Sequence, residues 1–159
     1  MLKPKAYIGV DPGASGHLCL LAPDSPQTIE FCAYAEPPKY ILDWLSYMSK
    51  KYDIVVIMIE DVHSIHNMSA KSNFSFGFNL GAVTAICKAS GLGVDKVAPK
   101  VWQKVIGIKP KDPSIKKSVG NIAQSLYPAA QIHGPKGGLL DGKSDALMIA
   151  HYTFKTYTK

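Results

Sequence analysis

Apolar residues in the first third of this chain form short runs of the length of β-strands, and later ones recur with the period of amphipathic helices. The first three runs are separated by turns rich in glycine and proline, so they predict an antiparallel meander. The next run is apolar throughout, which is typical of a central strand covered on both faces. The predicted strands are Lys5–Val10, His17–Leu21, Thr28–Tyr34, Ile54–Ile59 and Gly93–Ala98.

The remaining apolar positions predict helices on both faces of the sheet. Ser114 is expected to cap one helix, the polar stretch His63–Asn73 is predicted to be a loop, and Gln131–Leu140 is predicted to be an exposed flexible loop. The order predicts one α/β domain, residues 1–159, with a five-stranded mixed sheet that joins the meander to parallel strands. The predicted helices are Lys39–Lys51, Phe74–Ser90, a short helix from Pro99 that stops at Gly107, Ile115–Tyr127 and Gly142–Lys155.

Composition supports a single globular domain. The chain has 159 residues, 47% of them hydrophobic, which is enough for one core. No apolar run approaches the ~20 residues of a membrane span, and no signal peptide is evident, so we expect a soluble protein of the cytoplasm. Three cysteines stand at irregular spacing in apolar contexts and predict buried free thiols: Cys19, Cys32 and Cys87.

The charge of the chain favours a polyanionic partner. The formal net charge is +6 at pH 7, and every one of the 18 basic residues is a lysine. Lysine acts on phosphate as a mobile point charge, whereas arginine is the usual bidentate reader of guanine edges. The composition therefore favours contact with a nucleic-acid backbone over the reading of bases, although lysines that merely face solvent would give the same charge.

Four carboxylates stand where apolar elements end or begin, and they predict a divalent-metal site. Asp11 closes the first strand, Glu60 or Asp61 closes the long one, and Asp141 and Asp145 share a helical face. Turn chemistry and helix capping explain each acid singly. Oxygen ligands without convergent cysteine or histidine suit two Mg²⁺ ions, with Mn²⁺ as a substitute.

Other patterns in the chain give weaker functional signals. His63 and His66 are interpreted as surface residues, because no further histidine or cysteine accompanies them. The turn after Asp11 lacks the spacing of a P-loop or of a dinucleotide site, so a nucleotide cofactor is not expected. Trp102 is assigned to the core.

Two further groups of residues are candidates for DNA contact. Phe74, Phe76 and Phe78 alternate beside Lys71, so they cannot all face one core, and at least one should be exposed for stacking on bases. A basic stretch follows that would track a phosphate backbone: Lys100, Lys104, Lys109, Lys111, Lys116 and Lys117.

The chain resembles the RuvC family of Holliday junction resolvases, within the ribonuclease H-like superfamily, and particularly its phage and virus branch. The matching motifs span most of the chain: IGVDPGASG, the strand ending IED, NFSFGFNLGAV, VAPKVWQKVIG, SIKKSVGNIAQSLYP and DGKSDALMIAHY. The resemblance implies a ribonuclease H-like fold and a homodimer that cuts two DNA strands symmetrically. It also implies that Asp11, Glu60, Asp141 and Asp145 bind the catalytic metals, that Lys116 lies near the scissile phosphate, and that Phe74 or Phe76 reaches the junction centre.

The sequence therefore predicts a Mg²⁺-dependent endonuclease that resolves four-way or otherwise branched DNA, and the resemblance implies that it leaves 5′-phosphate and 3′-hydroxyl ends. The last two acids are four residues apart, whereas bacterial housekeeping members commonly space them by three. Alternatives are a related nuclease that acts on flaps or RNA/DNA hybrids, a junction-binding module without activity, and a sugar-kinase-like nucleotide binder.

Overall fold

The fold is built on a five-stranded mixed sheet, as predicted. The computed structural model describes residues 1–24, 26–63 and 66–158. Its strands are β1 (Lys5–Val10), β2 (His17–Ala22), β3 (Thr28–Ala33), β4 (Asp53–Glu60) and β5 (Val94–Val97), in the spatial order β3-β2-β1-β4-β5. Its helices are α1 (Pro38–Lys51), α2 (Ala70–Ala89), α3 (Pro99–Val105), α4 (Ile115–Leu126) and α5 (Asp141–Tyr157).

Strand β1 lies at the centre of the sheet and has neighbours of opposite sense. It pairs antiparallel with β2 and parallel with β4, where Val10 stands opposite Ile59. Strand β4 in turn pairs parallel with β5. The carboxyl ends of β1, β4 and β5 therefore open on one edge of the sheet, where ligands of open α/β sheets gather.

Each face of the sheet carries its own apolar core. Ile8, Leu20 and Ile59 face the layer formed by α1 and α2, which contributes Leu45 and Val83 among others. The alternate residues of the same strands face the layer formed by α3, α4 and α5. Burial on both faces explains why β4 is apolar almost throughout.

Helix α5 lies unusually close to the sheet because glycines leave room for it. A Cβ atom on Gly9 would stand 2.2 Å from the carbonyl oxygen of Ala146, and one on Gly142 would stand 2.2 Å from the carbonyl oxygen of Ser15. Both contacts are with backbone, which cannot swing aside. The first turns of α5 are thereby held against β1 and against the turn that follows it.

Several predicted details were wrong at the ends of helices. Helix α2 begins at Ala70 rather than Phe74, because the Ser69 hydroxyl accepts a hydrogen bond from the Ser72 amide and caps the helix inside the polar stretch. Ser114 makes no capping bond with its side chain; Asp112 instead accepts from the Ser114 amide and the Ser118 hydroxyl.

Cys19, Cys32 and Cys87 are buried free thiols, as predicted. Around the predicted loop at 131–140, the backbone is tied by hydrogen bonds between Gly134 and Gly138 and between Leu140 and Ile132. Among the described helices, none has the length and apolar character needed to cross a membrane.

Replacing Gly9 with alanine should destabilise the protein by about 3 kcal/mol, because the new methyl group displaces α5 from the sheet. Thermal and urea unfolding would measure the loss. The matched control is Gly138→Ala, where a Cβ atom meets nothing within 4 Å and the stability should stay within about 0.5 kcal/mol of the parent. Equal stability of the Gly9→Ala and Gly138→Ala proteins would refute the close contact.

Candidate metal centre

Asp11 and Glu60 lie side by side at the carboxyl ends of the two central strands. Because Val10 pairs with Ile59 in parallel register, the residues that follow them, Asp11 and Glu60, come at the same end of the two strands. The Asp11 amide donates to the His17 carbonyl at 3.0 Å, and its side chain accepts from the Gly13 amide at 3.0 Å. The turn thus fixes the Asp11 carboxylate at the edge of the sheet.

Asp141 and Asp145 reach the same place from the first turns of α5. The backbone contact at Gly142 seats this helix end directly on the turn that carries Asp11. Four-residue spacing puts both acids on one face of the helix. Acids from three separate segments of the chain, namely β1, β4 and α5, therefore meet at one edge.

Asp61 faces a different neighbour. Its carboxylate lies 3.6 Å from the ammonium group of Lys96, and its amide donates to the Val97 carbonyl at 2.8 Å, so it is tied to β5. Glu60 instead interacts with Asp11 and Asp145. The alternation of strand side chains separates the two neighbours, and Glu60 is the one that joins the group of acids.

Burial and mutual repulsion make three of these acids hard to ionise. Burial, together with the charges of Asp11, Glu60 and Asp141, raises the pKa of Asp145 to about 8. Burial likewise raises the pKa of Glu60 to about 7, against a hydrogen bond from Trp102 that lowers it. The pKa of Asp11 is also raised, mainly by burial. Such a site attracts positive charge.

Lys116 supplies the nearest cation. It stands on the first turn of α4, and its ammonium nitrogen lies 2.5 Å from an Asp141 carboxylate oxygen. This hydrogen bond, with the charges of Asp141, Asp145 and Asp11, raises the pKa of Lys116 and keeps it charged. Lys117, its neighbour in the chain, is exposed.

Trp102 is a contact of the site that sequence reasoning assigned to the core alone. Its indole N–H donates to a Glu60 carboxylate oxygen at 2.9 Å, and the residue is 1% exposed. A buried indole nitrogen normally finds an acceptor, which was the one available signal. The sequence did not indicate which acceptor it would be.

The donor set fits hard divalent cations. Carboxylate oxygens are the ligands that Mg²⁺ and Mn²⁺ prefer, and a cation would offset the burial and the repulsion that raise the pKa values of Asp145 and Glu60. Across the part of the chain that the structure describes, no three acidic, histidine or cysteine side chains are already gathered around one point. Asp141 is drawn toward Lys116 instead.

The predicted DNA-contact residues lie mostly outside this group. Lys100, Lys104, Lys109 and Lys111 are exposed around a cleft of about 570 Å³ between α3 and α4, with Ile108 and Ile115 among its apolar lining. Lys71 is exposed at the start of α2. Four of the predicted lysines thus line one cleft between α3 and α4.

The aromatic segment on α2 is largely exposed, as its spacing predicted. Phe74 is 77% exposed and Phe78 is 67% exposed, whereas Phe76 is half-buried. His63 and His66 are exposed between β4 and α2, in agreement with the surface interpretation.

Comparison with solved structures shows which fold this is. RuvC of Thermus thermophilus in complex with a Holliday junction substrate matches at a TM-score of 0.61 and 18% identity over 96% of both chains. A second Thermus thermophilus RuvC structure matches with a TM-score of 0.57 and 17% sequence identity over 96% of this chain and 97% of that one. The yeast mitochondrial Holliday junction resolvase matches with a TM-score of 0.50 and 13% sequence identity over 95% of this chain and 79% of that one. No family model and no curated protein matches the chain. The ribonuclease H-like fold expected from the sequence is confirmed.

Replacing Asp145 with asparagine should stabilise the protein in the absence of divalent ions. The folded-state pKa of about 8 lies above the ordinary 3.8, so the folded protein retains a proton that the unfolded chain releases as the pH rises. The acid therefore costs stability above about pH 4, and the cost is complete above about pH 8. Because neighbouring acids share the repulsion, we expect a gain of about 2 kcal/mol at pH 8, or roughly 5 °C in melting temperature.

This gain should disappear below about pH 3, where Asp145 is protonated in both states. Thermal unfolding in EDTA across this pH range would measure it, with the exposed Asp53→Asn as the matched control. If the Asp145→Asn protein melts no higher than the parent at pH 8, the ionisation of Asp145 does not destabilise the folded protein and the prediction is wrong.

Proposed function

We propose that this protein is a metal-dependent endonuclease that resolves Holliday junctions and other branched DNA. The observation that carries the proposal is the meeting of Asp11, Glu60 and Asp145 at one sheet edge, beside Lys116. The fold adds support, because a neighbour of the same fold has been solved with a Holliday junction substrate. Each of two strands would be hydrolysed to leave 5′-phosphate and 3′-hydroxyl ends, in recombination, repair or phage DNA processing in the cytoplasm.

The residues take distinct parts in this chemistry. Asp11, Glu60 and Asp145 would hold two Mg²⁺ ions, or Mn²⁺ in their place, and Asp141 would complete the ligand set or orient water. Bound ions of this kind acidify a water molecule and neutralise charge on the leaving oxygen of a phosphodiester. The Asp11 carboxylate is held by the Gly13 amide, so it is placed before any ligand arrives.

Lys116 is placed to exchange its ion pair with Asp141 for one with a phosphate group of DNA. Its side chain is 74% exposed although it pairs with Asp141, so it remains accessible to a phosphate group. Since the surrounding carboxylates keep it charged, it can steady the negative charge that develops on a phosphate in the transition state.

The surrounding surface suits the backbone of branched DNA. Lys100 and Lys104 are exposed on α3, and Lys109, Lys111 and Lys117 continue the positive surface toward α4. Phosphate contact by lysine is independent of sequence, which suits recognition by shape. On α2, Phe74 and Phe78 offer exposed rings for stacking on unpaired bases at a branch point.

A homodimer would match the symmetry of a four-way junction. Two copies of the site, related by a twofold axis, are needed to cut two strands at equivalent positions. The exposed face of α2, with Gly77 and Gly81 beside Phe78, has open space above its glycines and allows another chain to approach closely.

Asp11→Asn and Glu60→Gln should each abolish Mg²⁺-dependent cleavage of a labelled four-way junction while binding persists or improves, because both changes remove a ligand charge without removing the DNA surface. Denaturing gels would measure cleavage, and gel shifts in Ca²⁺ would measure binding. The matched control is Asp61→Asn, which alters the adjacent acid that pairs with Lys96 and should retain cleavage. Cleavage at the parental rate by Asp11→Asn or Glu60→Gln would overturn the assignment.

The choice of substrate separates this proposal from its alternatives. The parent protein should cut the four-way junction faster than a flap, a linear duplex or an RNA/DNA hybrid of the same sequence. Preference for the flap or the hybrid would indicate a related nuclease of another specificity. Tight junction binding without metal-dependent nicking would indicate a binding module.

Lys100→Gln with Lys104→Gln should weaken junction binding uniformly across sequences and reduce the slope of log Kd against log salt concentration by about 2, one for each lost phosphate contact. Fluorescence anisotropy between 50 and 200 mM salt, roughly the range over which such slopes are resolved, would measure it. The control with the same change of net charge is Lys50→Gln with Lys51→Gln at the end of α1. An unchanged slope for the α3 variant would place the DNA elsewhere.

A further inference from the structure

The indole of Trp102 makes the hydrogen bond that holds Glu60 in the group of acids. The Trp102 Nε1–H donates to Glu60 Oε1 at 2.9 Å across 42 positions of sequence. We propose that Trp102 is a positioning residue, which keeps the Glu60 carboxylate aimed at the metal site; this inference rests on the proposed function.

Glu60 needs such support more than the aspartates do. Its side chain has one more rotatable bond than that of Asp11, and Glu60 is the last residue of β4, one position beyond the last pair with β1. Asp11 is held by the Gly13 amide within its own turn. The indole does the same for Glu60 from another element, and one donor on Oε1 leaves Oε2 for a cation.

Trp102 itself is held firmly enough to serve as an anchor. Its ring is 1% exposed and packs in the core that contains Met58 and Val97. Helix α3 begins with Pro99 as its first residue, and the Ile106 amide donates to the Trp102 carbonyl at 3.1 Å. A donor on so fixed a backbone restricts the acceptor rather than following it.

The alternative is that Trp102 only fills the core, and that its N–H bonds to the nearest acceptor for that reason. The two roles can be distinguished by replacing a single group, the indole N–H. Replacement of the indole N–H by sulfur, in β-(3-benzothienyl)alanine, keeps the shape and apolar character of the ring but removes the donor. A packing role depends on the ring, whereas a positioning role depends on the N–H.

The experiment uses Trp44→Phe as its parent, because the chain has two tryptophans and only Trp102 then remains to be replaced or observed. In this protein, biosynthetic replacement of Trp102 by β-(3-benzothienyl)alanine should lower kcat on the junction about tenfold and raise the Mg²⁺ concentration for half-maximal rate several-fold. KM for the junction should stay unchanged. Equal kcat and equal Mg²⁺ dependence in the two proteins would overturn the proposal.

A second readout does not depend on activity. The single indole ¹H–¹⁵N cross-peak of the Trp44→Phe protein should move upfield on Glu60→Gln, because the bond to a charged acceptor is lost, and stay in place on Asp61→Asn. Addition of Mg²⁺ should shift the cross-peak in the parent but not in the Glu60→Gln protein. A cross-peak whose position changes neither on Glu60→Gln nor on addition of Mg²⁺ would overturn the proposal. If the parent cuts no branched DNA, the proposed function fails, and this cross-peak still decides the role of Trp102.

Discussion

The backbone contact between α5 and the central strand is the constraint on which the candidate site depends. Gly9 lets the helix approach β1 at Ala146, and Gly142 lets its first turn rest on Ser15. Any larger side chain at these glycines would push α5 outward by the thickness of a methyl group or more. Asp141 and Asp145 would then no longer share an edge with Asp11. The site is therefore assembled by the absence of side chains as much as by the presence of carboxylates.

The same contact concentrates negative charge that the fold does little to neutralise. Burial and neighbouring acids raise the pKa of Asp145 to about 8 and that of Glu60 to about 7. Lys116 offsets part of this charge from outside, through Asp141, and Trp102 steadies Glu60 from within the core. Local instability of this kind is expected where a protein binds a charged ligand, because binding relieves it. Helix α3 carries Trp102 inward and Lys100 outward, so it joins the acids to the basic surface.

Much of the fold and most of the site could be predicted from residue patterns, because strand periodicity and strand ends are local properties. The parallel pairing of β1 with β4 brings Asp11 and Glu60 together as expected. The alternation of strand side chains did not decide whether Glu60 or Asp61 joins Asp11. The ion pair between Asp61 and Lys96, which only the three-dimensional structure reveals, decides for Glu60. The bond from Trp102 to Glu60 was missed because it joins residues that no local pattern connects. The early start of α2 was missed because the Ser69 cap outweighs a polar stretch without period.

We propose that Asp11, Glu60, Asp141 and Asp145 form one metal site that cuts branched DNA on two strands. The most direct test is to incubate the parent protein with a synthetic four-way junction, labelled on each strand in turn, with Mg²⁺ and with EDTA. We expect two nicks at symmetric positions, formed only with Mg²⁺ and sealed by DNA ligase because 5′-phosphate and 3′-hydroxyl ends remain. Nicks that form equally in EDTA, ends that ligase cannot seal, or an uncut junction would contradict the account.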